Sequence, residues 1–304
     1  LTTRRQRQMC IRDRVGMVIG ALGFSLLLEP FSYFRLIQVI QGSALVVAGL
    51  NIVAMWQMEP RRPDLTSFEL SRPSFGQSWI ALSANPGAHR LLIAVALGTL
   101  GFSMQEILLE PYGAEVLAMS VSQTTRLTAI FAGGMLIAMA LSARYLGRGG
   151  EPIRLAAYGA VVGVFAFAAV IMAGAFDSLT LFAAGTLLIG IGNGLFAVGT
   201  LTAAMLLAGT ATAGLVIGTW GAVQATAVGC AVFLGGALRD MTEALIQGGM
   251  ISQQLSGPAT PYGAVYHLEI IILFASLVAL GPLVRRLGND KDQSLTMKLA
   301  DFPS

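Results

Sequence analysis

Apolar stretches long enough to cross a bilayer recur along nearly the whole 304-residue chain, separated by short polar joints. A spanning helix needs about 20 mostly apolar residues. Residues 15–32 and 36–57 are the first two such stretches, joined around Tyr33 and Arg35. The most polar interior segment follows, residues 59–90, with prolines at 60, 63, 73 and 86 and four arginines. Its length, about thirty residues, is that of a linker rather than an ordinary turn. Residues 91–109, 127–143 and 155–176 are the next three spans. From Ser178 to Leu238 there is no Asp, Glu, Lys, Arg or His, and this stretch accommodates two spans with a turn near residues 208–214. The eighth runs from Tyr262 to Val284, and residues 241–261 before it read as a loop, with or without a short interfacial helix.

Composition removes the soluble alternative. The chain is 55% hydrophobic and 12% charged with a mean hydropathy of +0.72, whereas about a quarter of the residues in a soluble domain are charged. The pI of 9.1 therefore does not point to nucleic acid, because in a membrane protein basic residues matter by where they sit. With the 59–90 linker placed in the cytoplasm, that side receives Arg61, Arg62, Arg72, Arg90, Arg144, Arg148, Arg154, Arg285, Arg286, Lys291 and Lys298. The opposite side receives only Arg35, Arg126 and Arg239. This asymmetry predicts an even number of spans, here eight, with both ends cytoplasmic. Cys10 and Cys230 form no disulfide framework and no zinc site.

Residues 1–14 (LTTRRQRQMCIRDR) hold five arginines and no signal-peptide pattern. They read either as non-native sequence at the edge of a gene fragment or as a basic cytoplasmic loop. The remaining organisation is residues 15–57 as two helices, 58–90 as a central linker, 91–287 as six helices and 288–304 as a cytoplasmic tail. A long cytoplasmic loop followed by six spans is what a twelve-helix carrier shows between and after its halves.

Two sets of residues carry a family resemblance. Around the fourth span, Gly133-Gly134-Met135-Leu136 and Ala143-Arg144-Tyr145-Leu146-Gly147-Arg148-Gly149-Gly150 resemble the cytoplasmic loop motif of the major facilitator superfamily. Gly134, Arg144, Gly147 and Arg148 are its candidate structural or gating positions. The stretch from Gly101 to Val116 (GFSMQEILLEPYGAEV), with PFSYFRLI at 30–37 and NIVAMW at 51–56, resembles the PucC/LhaA family, a branch of that superfamily in phototrophic bacteria. The resemblance implies an all-α polytopic membrane protein, the C-terminal part of a twelve-helix major facilitator fold. It also implies a role in assembling light-harvesting complexes, with bacteriochlorophyll or a precursor as ligand and antenna polypeptides as partners. The membrane implied is the bacterial inner membrane, cytoplasmic or photosynthetic intracytoplasmic.

Candidate chemistry lies in the few charges left inside the spans. An ionised carboxylate at the bilayer centre costs several kcal/mol, so such residues face a cavity, pair, or stay protonated. Glu106 and Glu110, four apart, share a helix face with Gln105 at its rim. Two carboxylates that close in low dielectric should not both be charged. Pro111 and Gly113 predict a break or kink there, and Tyr112 lies between them. The competing view is that Glu110 only marks a helix end. His267 and Glu269 lie in the last span, and a neutral imidazole is able to ligate a pigment magnesium or to face headgroups. Asn193, Trp220 and Gln224 are polar or amphipathic side chains of the uncharged run, suited to a cavity wall or to helix–helix hydrogen bonds.

Enzyme and nucleotide signatures fail. Gly190-Ile191-Gly192-Asn193-Gly194 follows no strand, both lysines sit in the tail without a glycine loop, and the two histidines are far apart. No nucleotide and no protein-bound metal is expected. The sequence reading is therefore a non-enzymatic assembly factor, the alternative being a proton-coupled secondary transporter of a small solute.

Overall fold

In the computed structural model, residues 2–29, 32–56, 86–207, 213–250 and 257–300 are described, with side chains described for 15–29, 32–53, 87–207, 214–250 and 257–284. Among them the regular structure is entirely helical: α1 (Thr2–Leu27), α2 (Tyr33–Trp56), α3 (Pro86–Ser103), a 3₁₀ turn (Met104–Ile107), α4 (Leu109–Glu115), α5 (Val121–Gly147), α6 (Pro152–Ala175), α7 (Leu179–Leu207), α8 (Ala213–Gln247) and α9 (Thr260–Ala300). Seven helical stretches are long and apolar enough to cross a membrane, and the apolar part of α1, Val15–Leu27, is an eighth, shorter one. Residues 57–85, most of the predicted linker, and the turn at 208–212 lie outside the described residues, while residues 86–90 of that linker begin α3.

The largest differences from the boundaries read in the sequence are at α8, α9 and α1. Helix α8 continues to Gln247, well into the stretch read as a loop. Its added turns are held by the Arg239–Glu243 ion pair at 3.0 Å, one helical turn apart, and stop at Gly248 and Gly249, the latter at φ +71°. Helix α9 carries its backbone through to Ala300, so the tail is continuous with the last span. Helix α1 begins at Thr2, so the arginine-rich leader is continuous with the first.

Helices α5, α6 and α7 form the tightest part of the bundle, with α9 against α6, α3 against α9 and α8, and α1 against α5. The close approach rests on glycine. A Cβ on Gly159 would stand 2.6 Å from the Gly192 carbonyl oxygen, and one on Gly192 would stand 2.8 Å from that of Gly159. Lipid tails are as apolar as leucine, so membrane helices gain by such backbone contact rather than by hiding apolar surface. Gly134 belongs to this packing too: it lies in the middle of α5 against Leu187 of α7, not in the loop that the motif led us to expect. Gly147 and Arg148 do close α5, with the Arg148 N–H donating to the Arg144 carbonyl at 3.2 Å. Gly214 and Gly218 have open space beside them.

Candidate functional site

The chain changes winding where the sequence places a proline among acids. Pro111 has no N–H to donate, and its ring competes for the space of the carbonyl four residues earlier, Ile107. The disruption is therefore taken up on the N-terminal side, as a 3₁₀ turn over Met104–Ile107, while Pro111 and Gly113 themselves lie inside α4. The sequence located the break about one turn too late. In the turn the Leu108 N–H donates to the Gln105 carbonyl at 2.9 Å, three residues back. The Gln105 N–H leaves the helix ladder to donate to Glu269 Oε1 of α9 at 2.7 Å.

The break forms one wall of a cavity of about 450 Å³. Thr99 and Ser103 enter from α3, Gln105 and Glu106 from the turn, Glu110 from α4, Thr128 from α5, Asn193 from α7 and Gln224 from α8. Leu109, Phe131, Met135 and Val228 supply apolar surface. Ser103 Oγ donates to Glu106 Oε1 at 3.3 Å, and Thr128 Oγ1 donates to Glu110 Oε1 at 2.8 Å. Among the described lining residues there is no lysine, arginine or histidine. Gln105 is 2% exposed, and its side-chain Oε1 has no hydrogen-bond partner. The wall is thus rich in acceptors, one of them a buried orphan.

Of the residues singled out in the sequence, the structure brings Gln105, Glu106, Glu110, Asn193 and Gln224 onto this one cavity and leaves Glu269, Tyr112, Trp220 and His267 off its wall. Glu269 is fully buried behind the break and holds its backbone rather than lining the cavity. Tyr112 is buried among Phe182, Tyr262 and Tyr266, with ring centroids 5.2–5.5 Å away, and its hydroxyl donates to the Val170 carbonyl at 3.3 Å. Trp220 packs on the core and donates from Nε1 to Thr200 Oγ1 at 3.4 Å. His267 is exposed on α9, with Nδ1 2.6 Å from the Gly263 carbonyl of its own helix. Two residues along a helix turn a side chain by about 200°, which is why His267 and Glu269 face apart.

A second polar group escaped the sequence reading. Tyr262 donates to Glu115 Oε2 at 2.6 Å, and Arg239 Nη2 meets the same oxygen at 3.2 Å, tying α4, α8 and α9 together. Arg239 also contacts Asp240 and Glu243 at 3.0 Å. The signal for it was an arginine closing the long uncharged run. Arg126 is likewise paired, 3.7 Å from Glu29 and donating to Ser25 Oγ at 3.2 Å. On the face shared by α3 and α8 lies a wider apolar groove of about 680 Å³, lined by Leu97, Leu100, Gly214, Gly218, Ala222 and Thr226 among others.

Comparison with known proteins places this architecture. The family model described as PUCC protein matches residues 13–288. The chain belongs to the PUCC protein family. Protein PucC of Cereibacter sphaeroides is 44% identical, over 89% of this chain and 58% of that protein. A Rhodobacter capsulatus protein described as an uncharacterized protein in the puhA-bchM intergenic region is 45% identical, over 95% of this chain and 62% of its own length. The bacteriochlorophyll synthase 44.5 kDa chain of the same species is 27% identical, over 90% and 62%. This PUCC chain therefore spans about three fifths of the length of the curated relatives it matches. Among solved structures, a bacterial homologue of the human lysosomal transporter Spinster, inward-facing and unoccupied, aligns at a TM-score of 0.53 with 16% identity, over 88% of this chain and 62% of that one. The likeness is one of fold.

Proposed function

We propose that this PUCC chain is part of a non-enzymatic membrane factor that binds bacteriochlorophyll or a precursor while light-harvesting complexes are assembled, with both of its ends cytoplasmic. The observation that carries the proposal is the acceptor-rich cavity at the broken helix, set inside a membrane span of a protein of this family. A bilayer protein keeps carboxylates at depth only where they serve a cavity, a pair or a path. The relatives' names, PucC and bacteriochlorophyll synthase chain, support the pigment. The cavity residues fit such a group. A magnesium tetrapyrrole supplies an electropositive, coordinatively unsaturated centre in an apolar ring. The wall offers oxygen acceptors, including the orphaned Gln105 Oε1, beside Phe131, Leu109 and Met135. Hard magnesium prefers oxygen donors.

The chain's own part is to hold the ligand out of lipid and water, with Glu106 and Glu110 oriented by Ser103 and Thr128. Antenna polypeptides are the partners in this reading. The test is the absorption spectrum of the protein purified from a phototroph: bacteriochlorophyll should co-purify, and exchange of Glu106 for leucine should reduce it. A colourless protein that moves protons or a solute across liposomes would overturn the reading in favour of a secondary transporter, which the Spinster-like fold and the cavity acids also accommodate.

A further inference from the structure

Resting on that reading, we infer that the electropositive centre of the ligand, the pigment magnesium, is met by the oxygen wall of the broken helix, Gln105 Oε1 with Glu106 beside it, and not by His267. Three independent observations converge on this. Gln105 is buried, lines the cavity and leaves Oε1 without a partner, although an unsatisfied buried acceptor costs about 1–3 kcal/mol. Its position does not depend on that oxygen, because Glu269 already fixes the backbone at the Gln105 N–H. The side chain is thus held in place with an acceptor to spare. Glu106 and Glu110 give the wall negative charge, and no described lining residue offers a cation to an anionic guest. The same chemistry disfavours free carboxylates and phosphates and selects a guest with a positive or Lewis-acidic centre within an apolar body. His267, by contrast, is exposed and spends one ring nitrogen on its own helix.

The experiment compares bacteriochlorophyll a with its magnesium-free form, bacteriopheophytin a, as probes of the purified protein in nanodiscs, by titration and by the absorption spectrum of the bound pigment. The wild type should bind the magnesium pigment about tenfold or more tightly than the metal-free one. Gln105→Leu and Glu106→Gln should each reduce that preference, while His267→Ala leaves it intact. Gln105→Leu separates ligation from structure, since replacing an unsatisfied buried acceptor by an apolar side chain of similar size should keep or raise thermal stability. Equal affinity for the two pigments, or loss of the preference only in His267→Ala, would overturn the inference and leave the pigment-binding function standing. Binding of neither pigment by the wild type would overturn both.

Discussion

Glu110 and Glu115 lie on the same seven-residue helix, yet their surroundings differ in kind. Glu115 meets the Arg239 guanidinium and the Tyr262 hydroxyl, and so joins three helices into a fixed cluster. Glu110 accepts a hydrogen bond from the Thr128 hydroxyl and Glu106 accepts one from that of Ser103, on a wall without a described base. A carboxylate matched by a cation is a fastener, whereas one oriented by neutral hydroxyls keeps its attraction for an incoming electropositive group. A third carboxyl, Glu269, is fully buried and bound to a backbone N–H, and its task is to hold the broken helix in place.

The most direct way to break this contrast is to give the cavity what the Glu115 cluster has. Asn193→Lys would place an ammonium opposite the acids; bacteriochlorophyll affinity should fall by about a hundredfold, or about 2.7 kcal/mol, measured as pigment retained per protein. Unchanged retention would show that the pigment sits elsewhere. Next in size is Glu269→Leu, which strands the Gln105 N–H and should lower stability by about 2 kcal/mol. Detergent unfolding would measure this, with Glu269→Gln, which keeps an acceptor, expected to restore most of the loss. Arg239→Leu should cost only about 1 kcal/mol, because Glu115 is half-exposed and keeps Tyr262, and pigment affinity should not change. Loss of pigment with Arg239→Leu would show that fastener and cavity are one unit. Smallest is His267→Ala, expected to move stability by less than about 0.5 kcal/mol as an exposed site, read by the same unfolding measurement.

Much of the fold was readable because the bilayer imposes length. Eight apolar segments and their approximate ends follow from run length and charge alone, and Glu106 and Glu110, four apart in the chain, both line the cavity. The errors arose where one helix depends on another. Residues 241–247 read as loop because they are polar, but the Arg239–Glu243 pair makes that polarity compatible with continued helix. Gly134 was assigned to a loop motif by its neighbours in sequence, while its role is contact with Leu187 on α7. Tyr112 and Trp220 carried polar atoms suited to a site, and packing turned both toward the core.

By itself the sequence determined the solvent, the approximate number of apolar helices, the presence of a break near Pro111 and the family resemblance, since each depends on composition, run length or residues adjacent in the chain. Only the tertiary structure decided that the break falls before the proline, that Asn193 and Gln224 reach the same cavity as Glu106, and that Glu269 stands behind it while His267 faces away. Periodicity fixes which residues share a face within one helix. Which faces then meet is set by how closely neighbouring backbones approach, and that depends on pairs such as Gly159 and Gly192 that lie far apart in the chain.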